Sequence, residues 1–259
     1  MIETSVIIRC KNEARTIGAV LQMLFAQSYK NFEVIVVDSG STDETLTIAK
    51  TFPVRILQIP PEKFSYPYTL NFAIREADAT KYIVTLSAHS FPISTTWLTD
   101  GLTNFLQSDT ICGVYGFIYA PADATVWDKS FMRLYMLGLT LKGKSKTHIQ
   151  TRWSKGILGF TNAIIRKDLW QKRPINEAYG AGGEDEEWAH YWLEQGYRVV
   201  KDEKFSVYHS HHLGFRPWIK QILEWQSLKK GPRRFKPLAF RELPSESKMK
   251  QGDEEKSTA

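Results

Sequence analysis

A chain of 259 residues with 42% apolar content can bury one substantial core, and its length suits one large α/β domain or two small ones, the single domain being preferred. The net charge of +6 collects in two clusters, Lys142, Lys144, Lys146, Arg152 and Lys155, then Lys229, Lys230, Arg233, Arg234 and Lys236. Neither accompanies a zinc-finger or RNP pattern, so no nucleic-acid partner is expected, while a phosphate-bearing substrate, a lipid surface or a solvated face explains them equally well.

The first residues lead straight into a strand pattern with no charged-then-apolar leader, and no apolar run approaches the roughly 18 residues of a membrane span. A soluble, cytoplasmic protein is expected. Cys10 and Cys112 are poor material for a disulfide framework and read as reduced, buried thiols. Strand-like runs at 5–8, 34–37, 54–59, 82–86 and 111–118 alternate with helical periodicity, which predicts an α/β fold with a mostly parallel sheet covered on both faces. The first helix shows in Ile17, Val20, Leu21, Leu24 and Phe25. Ser41-Thr42-Asp43-Glu44 has the form of a capping box, so a helix is expected to begin there. That puts Asp38 at the carboxyl end of the second strand, the edge where open α/β sheets bind ligands. Farther on, 127–141 reads as an aromatic-rich helix and 142–155 as a mobile basic loop. Helices are expected at 166–173 and 184–195, with Gly196 as the stop, and a strand at 205–208. From Pro217 an amphipathic helix carries Trp218, Ile219, Ile222, Leu223 and Trp225, and 242–259 is polar enough to be disordered.

Two stretches are hard to explain by folding alone. Gly182-Gly183-Glu184-Asp185-Glu186-Glu187-Trp188 puts four consecutive acids at a helix start, more than that end requires, and offers a base. Tyr208-His209-Ser210-His211-His212 offers possible metal ligands. His89, just past the strand at 82–86, and His209 come from different strands, and two such imidazoles can converge on one ion. Asn12 and Glu13, with Asp38, stand where a base edge or ribose can be held, or else serve as helix starts and caps. Trp188 adjoins the proposed base and is the tryptophan chosen to stack on an acceptor sugar.

The run Ser5-Val6-Ile7-Ile8-Arg9-Cys10-Lys11-Asn12-Glu13, followed by Val36-Val37-Asp38-Ser39-Gly40-Ser41-Thr42-Asp43, resembles the opening of the family-2 inverting glycosyltransferases of the GT-A fold. Phe160-Thr161-Asn162-Ala163, Arg166, Trp170, Gly183 to Ala189, Gly196-Tyr197 and Val207 to His211 are similar to its rhamnosyltransferase-like branch. The resemblance implies a Rossmann-like, mostly parallel sheet flanked by helices, in a single domain with a C-terminal helix. Its GT-A domain would occupy 1–215, with 1–118 as the nucleotide-sugar half and 119–215 as the acceptor and catalytic half. An amphipathic helical region at 216–241 and a disordered tail at 242–259 would follow.

Carried over by position, Glu13 and Asp38 hold the nucleoside, Arg9, Asn12, Asn71 and Ser87 line the nucleotide sugar, and Asp185, with Glu184 beside it, deprotonates the acceptor. The family's metal-binding Asp-x-Asp aligns with Ser87-Ala88-His89, a departure that leaves His89 and His209 as ligands of the implied divalent metal, Mn²⁺ or Mg²⁺, and shifts preference from Mg²⁺ toward Mn²⁺ or another imidazole-tolerant ion. Leu70 and Tyr191 stand where arginines are frequent, so diphosphate contacts pass to Arg9, Lys63 or the basic loop. The implied donor is a nucleoside diphosphate sugar, and the acceptor a glycan or lipid-linked glycan of a surface polysaccharide. The helix within 217–236 has three readings: packing on the domain, packing on a second copy as a homo-oligomer, or peripheral contact with the inner face of a membrane. Two rivals remain. One is a catalytically inactive nucleotide-sugar-binding protein, motivated by the missing carboxylate. The other is a nucleotidyltransferase, which would want a glycine- and arginine-rich loop where Lys11-Asn12-Glu13 stands.

Overall fold

The computed structural model describes residues 1–180, 182–228 and 236–241. Strand β1 (Thr4–Cys10) carries Val6-Ile7-Ile8, all fully buried, as a parallel strand covered on both faces requires. Then come α1 (Ile17–Phe25), β2 (Phe32–Asp38), α2 (Thr45–Ala49), β3 (Arg55–Gln58), α3 (Tyr66–Glu76) and β4 (Tyr82–Ser87), and the strands β3, β2, β1 and β4 lie side by side in parallel. Because successive strand side chains alternate between faces, Val6, Ile8, Val34 and Val36 pack with Ile17, Val20, Leu21 and Leu24 of α1. Ile7, Ile35 and Val37 pack with Leu70, Ala73 and Ile74 of α3 on the other face. Each such side chain contributes roughly 1.5–3 kcal/mol by leaving water, so these two layers hold the loops at the strand ends in place.

The second half adds β5 (Ser90–Pro92), α4 (Trp97–Thr103), β6 (Ile111–Tyr119), α5 (Val126–Leu141), β7 (His148–Gln150), β8 (Asn162–Arg166), α6 (Lys167–Lys172), α7 (Glu184–Glu194), β9 (Arg198–His209) and α8 (Phe215–Leu228). The sheet runs β3-β2-β1-β4-β8-β6-β9-β5, with β7 attached to β9. Strand β8 is antiparallel to both β4 and β6, and β5 and β7 are antiparallel to β9. Parallel pairing therefore describes the first half, and the sheet as a whole is mixed, because an antiparallel neighbour needs no crossover helix. Strands β6 and β9 run parallel and approach closely at Gly116, where a Cβ would lie 1.8 Å from the Phe205 carbonyl oxygen. Only glycine fits there, beside an irregularity in the register.

Several sequence expectations shift. Helix α2 begins at Thr45 rather than at the capping box, because the Ser41 hydroxyl donates to Asp38 while Asp43 accepts from the Thr45 amide at 3.0 Å. The basic loop contains β7, which pairs Ile149 with Val200. The 216–241 region is not continuous helix: α8 reaches Leu228, and 236–241 is non-helical chain lying back on the domain, where Glu177 donates its amide to the Ala239 carbonyl at 2.8 Å. Lys229, Lys230, Arg233 and Arg234, and the expected tail at 242–259, lie outside the described residues. Cys10 and Cys112 are free and buried, as expected.

Candidate active site

The loops leaving β1 and β2 are sewn into one rim. Asn12 adopts the left-handed φ of 56° that asparagine tolerates. Its side-chain oxygen accepts from the Thr42 amide at 2.8 Å, and its own amide donates to the Ser41 hydroxyl at 2.9 Å. The Glu13 amide donates to the Thr45 hydroxyl at 2.7 Å. Asp38 is fully buried and accepts from the Gly40 amide at 3.1 Å and from the Ser41 amide and hydroxyl. The loop it closes needs Gly40, whose φ is +90° and whose added Cβ would sit 2.6 Å from Pro61. Asn12 and Asp38 thus shape the rim through their own hydrogen bonds.

Helix α7 starts at Gly183, left-handed with φ 91°, and its four acids do four different things. Glu187 forms a buried ion pair with Arg173, whose guanidinium also lies 4.2 Å from the Tyr191 ring centre. Glu186 accepts from the Gly156 amide at 2.7 Å, holding the segment before β8. Glu184 is buried, and burial, then the neighbouring negative charge of Asp185, push its carboxyl up to about 8 against the pull of Arg9. Asp185 is only half-buried, accepts weakly from the Phe160 amide at 3.4 Å and takes the Glu186 amide at 2.7 Å. Where two carboxyls share a site, the penalised one keeps the proton. Glu184 is that one. Arg9 faces both: its guanidinium lies 4.9 Å from the Tyr66 ring centre, and the charges of Glu184, Tyr66 and Asp185 oppose the downward pull of its burial.

Ser87 connects the acids to the histidines. It pairs in register with Arg9, and its amide donates at 3.1 Å to the carbonyl of Thr161, the residue after Phe160. Two residues beyond it, His89 occupies the turn into β5, and the β5–β9 ladder sets Ser90 opposite His209. The rings of His89 and His209 stand 4.6 Å apart, and His211 lies 4.9 Å from His89 and 4.8 Å from His209. Glu13 reaches this group rather than open solvent: its carboxylate accepts from His89 Nδ1 at 2.8 Å. Burial pushes the Glu13 carboxyl up, but the hydrogen bond and charge of His89 outweigh it and hold it below the usual range. Burial, followed by the like charges of the other histidines, holds His209 well below the ordinary imidazole range and lowers His211 as well. Both rings are therefore neutral near pH 7, with lone pairs available to an ion. Two surface cavities of about 320 and 330 Å³ lie elsewhere, one where β4 and β6 begin and β8 ends, around Lys81 and Arg166, and one beside Ile93 and Lys204.

Two expected site residues are structural. Asn71 is fully buried, and its amide holds Ile175 O at 2.7 Å and Glu177 at 2.9 Å while its oxygen accepts from Trp170 Nε1 at 2.9 Å. Nothing of it is left for a nucleotide. Trp188 is also fully buried, donates to the Arg173 carbonyl at 3.0 Å and meets Trp192 edge-on, so it cannot stack on an acceptor. Sequence reasoning left three contributors unassigned: His211, visible in the histidine run; Ser90, whose hydroxyl meets His209 Nδ1 at 2.9 Å; and Tyr66 beneath Arg9. The β5–β9 ladder brings Ser90 to His209, and the start of α3 brings Tyr66 to Arg9.

The family model "Glycosyl transferase family 2" matches residues 5–173. The O-antigen chain rhamnosyltransferase WbaN of Salmonella anatum is 25% identical over 187 residues, covering 72% of this chain and 59% of that protein. The chain thus spans about three-fifths of that relative's length. A 50-residue match, 44% identical, covers 19% of this chain and 18% of the putative glycosyltransferase EpsE of Bacillus subtilis. Among solved structures, the mannosyltransferase PcManGT of Pyrobaculum calidifontis, in complex with GDP-Man and Mn²⁺, superposes with a TM-score of 0.61 at 21% identity, over 83% of this chain and 59% of that one. The S. aureus TarS 1-349 structure gives 0.60 at 19% identity, over 80% and 60%. The superpositions identify the GT-A fold, and with the family match over most of the described sheet, the chain belongs to glycosyl transferase family 2.

Proposed function

We propose that this protein is an inverting glycosyltransferase that moves a hexosyl or deoxyhexosyl group from a nucleoside diphosphate sugar to a glycan or lipid-linked glycan acceptor in surface polysaccharide assembly. The observation that carries the reading is the half-buried Asp185 carboxylate beside a protonated Glu184 and the Arg9 cation, on the same rim as the β1 and β2 loops. Asp185 accepts the proton of the acceptor hydroxyl as its oxygen forms a bond to the anomeric carbon from the face opposite the leaving group. The bond from that carbon to the diphosphate oxygen breaks, the nucleoside diphosphate leaves with the electron pair, and the anomeric centre inverts. Arg9 faces the charge that develops, and Asn12, Glu13, Asp38 and Ser87 frame the nucleotide side. The residues at the rim fit a divalent ion, since His89 Nε2 is buried without a hydrogen-bond partner. Such an ion, held by His89 and His209, would neutralise charge on the diphosphate.

The likeness to WbaN supports the polysaccharide role and the deoxyhexosyl option. No helix among the described residues is long and apolar enough to cross a membrane. Helices α5 and α8 meet through Trp127 on Phe215 and Phe131 on Trp218, yet leave Leu134, Leu137, Leu141, Ile219 and Leu223 exposed. The exposed Lys129, Arg133, Arg216 and Lys220 lie on the same two helices. An apolar face with cations suits an anionic bilayer, which would hold a cytoplasmic enzyme at the inner face, where lipid-linked acceptors reside.

The test is Asp185→Asn. Donor-dependent release of nucleoside diphosphate is expected to fall by at least about 10²-fold, with nucleotide binding measured by calorimetry unchanged. Full activity in the variant would remove Asp185 from the base role. Nucleotide binding by the wild type without turnover of any donor would favour an inactive binding protein.

A further inference from the structure

We infer that His211 completes, with His89 and His209, a three-imidazole metal site that selects transition-metal ions and rejects Mg²⁺. The histidines come from two separate places in the chain, the β4–β5 turn and the end of β9 with the residues after it, so no single local motif brings them together. One ligand nitrogen from each lies within 4.8 Å of the others, and His209 Nε2 is already 3.3 Å from His211 Nε2. Nitrogens bound to one ion at about 2.0–2.1 Å stand roughly 3–3.4 Å apart. That pair needs no movement, and His89 has to close by less than about 2 Å.

The partners of the rings support this geometry. His89 Nδ1 donates to Glu13, and the Ser90 hydroxyl bonds His209 Nδ1. Both contacts leave Nε2 as the outward-facing nitrogen, and a partner on the far ring nitrogen is what orients metal-binding histidines and fixes their tautomer. At His89 this Nε2 is buried with no hydrogen-bond partner. Buried polar atoms in native proteins are almost always satisfied, and an ion satisfies this one. Ser210, between the two histidines of β9 and its extension, is tied by its hydroxyl to Asp128 of α5 at 2.6 Å, which holds that segment against the helix.

The donor set decides the ion. Mg²⁺ demands oxygen ligands in near-ideal octahedral geometry and gives up water reluctantly, whereas imidazole suits zinc, copper, iron and nickel. Three imidazoles provide no carboxylate charge to the ion directly, and Glu13 compensates from behind His89. Affinity is expected to rise from Mn²⁺ through Co²⁺ to Zn²⁺, with Mg²⁺ far below. Three protein ligands leave positions open for water or for diphosphate oxygens, the pattern of a working rather than a purely structural centre.

This inference rests on the glycosyl-transfer reading only for what fills those open positions. Ion binding is measured without it: metal-free full-length protein is titrated with CoCl₂ and followed by visible ligand-field absorption and by calorimetry. One equivalent is expected to bind, ZnCl₂ to bleach the bands, and excess MgCl₂ to leave them unchanged. His211→Ala and His211→Gln should each weaken Co²⁺ binding at least about tenfold, and Ser90→Ala should weaken it about 10- to 100-fold, with circular dichroism confirming that each variant is folded. Failure to bind Co²⁺, unchanged affinity in both His211 variants, or displacement by Mg²⁺ would overturn the three-histidine site. Co²⁺ binding with no sugar transfer from any donor would leave this site standing and remove the proposed activity. Transfer supported equally by Mg²⁺ would do the reverse.

Discussion

Replacing Glu184 with glutamine tests the electrostatics of the acidic helix without changing its shape. In the folded protein burial and Asp185 raise this carboxyl from an ordinary 4.5 to about 8. Between those two values the native state holds a proton that the unfolded chain has released, so stability falls as pH rises through the window. At 1.36 kcal/mol per pH unit, a rise of about 3.5 in pKa carries at most about 5 kcal/mol. Below pH 4.5 the full stability is present, and above pH 8 all of it is lost. Glutamine remains neutral throughout and is expected to remove that loss. The assay is urea unfolding of wild type and Glu184→Gln at pH 5, 7 and 9. The two proteins should unfold at similar urea concentrations at pH 5, and the variant should be the more stable by several kcal/mol at pH 9. Lys201, a buried lysine lowered to about 8 by burial, titrates over part of the same range. It does so in both proteins and drops out of the difference. Parallel stability curves from pH 5 to 9 would mean that Glu184 is ionised in the native protein at little cost, contrary to a buried, protonated carboxyl.

Further outcomes follow from packing and from the rim. Trp188→Ala is expected to cost about 3–5 kcal/mol in urea unfolding, because a fully buried side chain leaves a cavity and the Arg173 carbonyl loses its donor. An acceptor-stacking role would instead leave stability intact. Asn71→Leu should destabilise by about 1–3 kcal/mol for each group left without a partner, Trp170 Nε1 and the Ile175 amide among them. Its nucleotide affinity in the surviving folded protein should match wild type by calorimetry. Gly116→Ala cannot be accommodated beside the Phe205 carbonyl and should abolish soluble expression or cause a large drop in unfolding midpoint. Co-sedimentation with vesicles rich in phosphatidylglycerol, but not with phosphatidylcholine alone, should fall as salt rises and fall again in Leu134→Asp. Dimer formation in solution with no vesicle binding would assign the α5 and α8 face to a second copy.

The periodic, buried parts of this protein were legible in the linear chain. The runs around Val6-Ile7-Ile8, Val34 to Val37 and Ile83-Val84 are buried on both sheet faces, and Ile17, Val20, Leu21 and Leu24 line one face of α1, because burial on a regular element imposes a fixed spacing on apolar residues. The Gly183 start of α7 and the position of Asp38 at a strand end follow from the same local rules. Partners distant in sequence do not follow from spacing. Nothing near Asn71 or Trp188 announces that Trp170, Ile175 and Arg173 consume their polar atoms, and nothing in four consecutive acids says that one pairs with Arg173, one holds Gly156 and one keeps a proton. Likewise, the histidine run names its residues, but the antiparallel β5–β9 ladder carries His209 and His211 to His89 and sets Ser90 behind His209. Secondary structure was set by nearest neighbours along the chain, whereas proton affinity, tautomer and ligand convergence were decided by burial and by contacts between residues as distant in sequence as Arg9 and Glu184, which exist only once the sheet has closed.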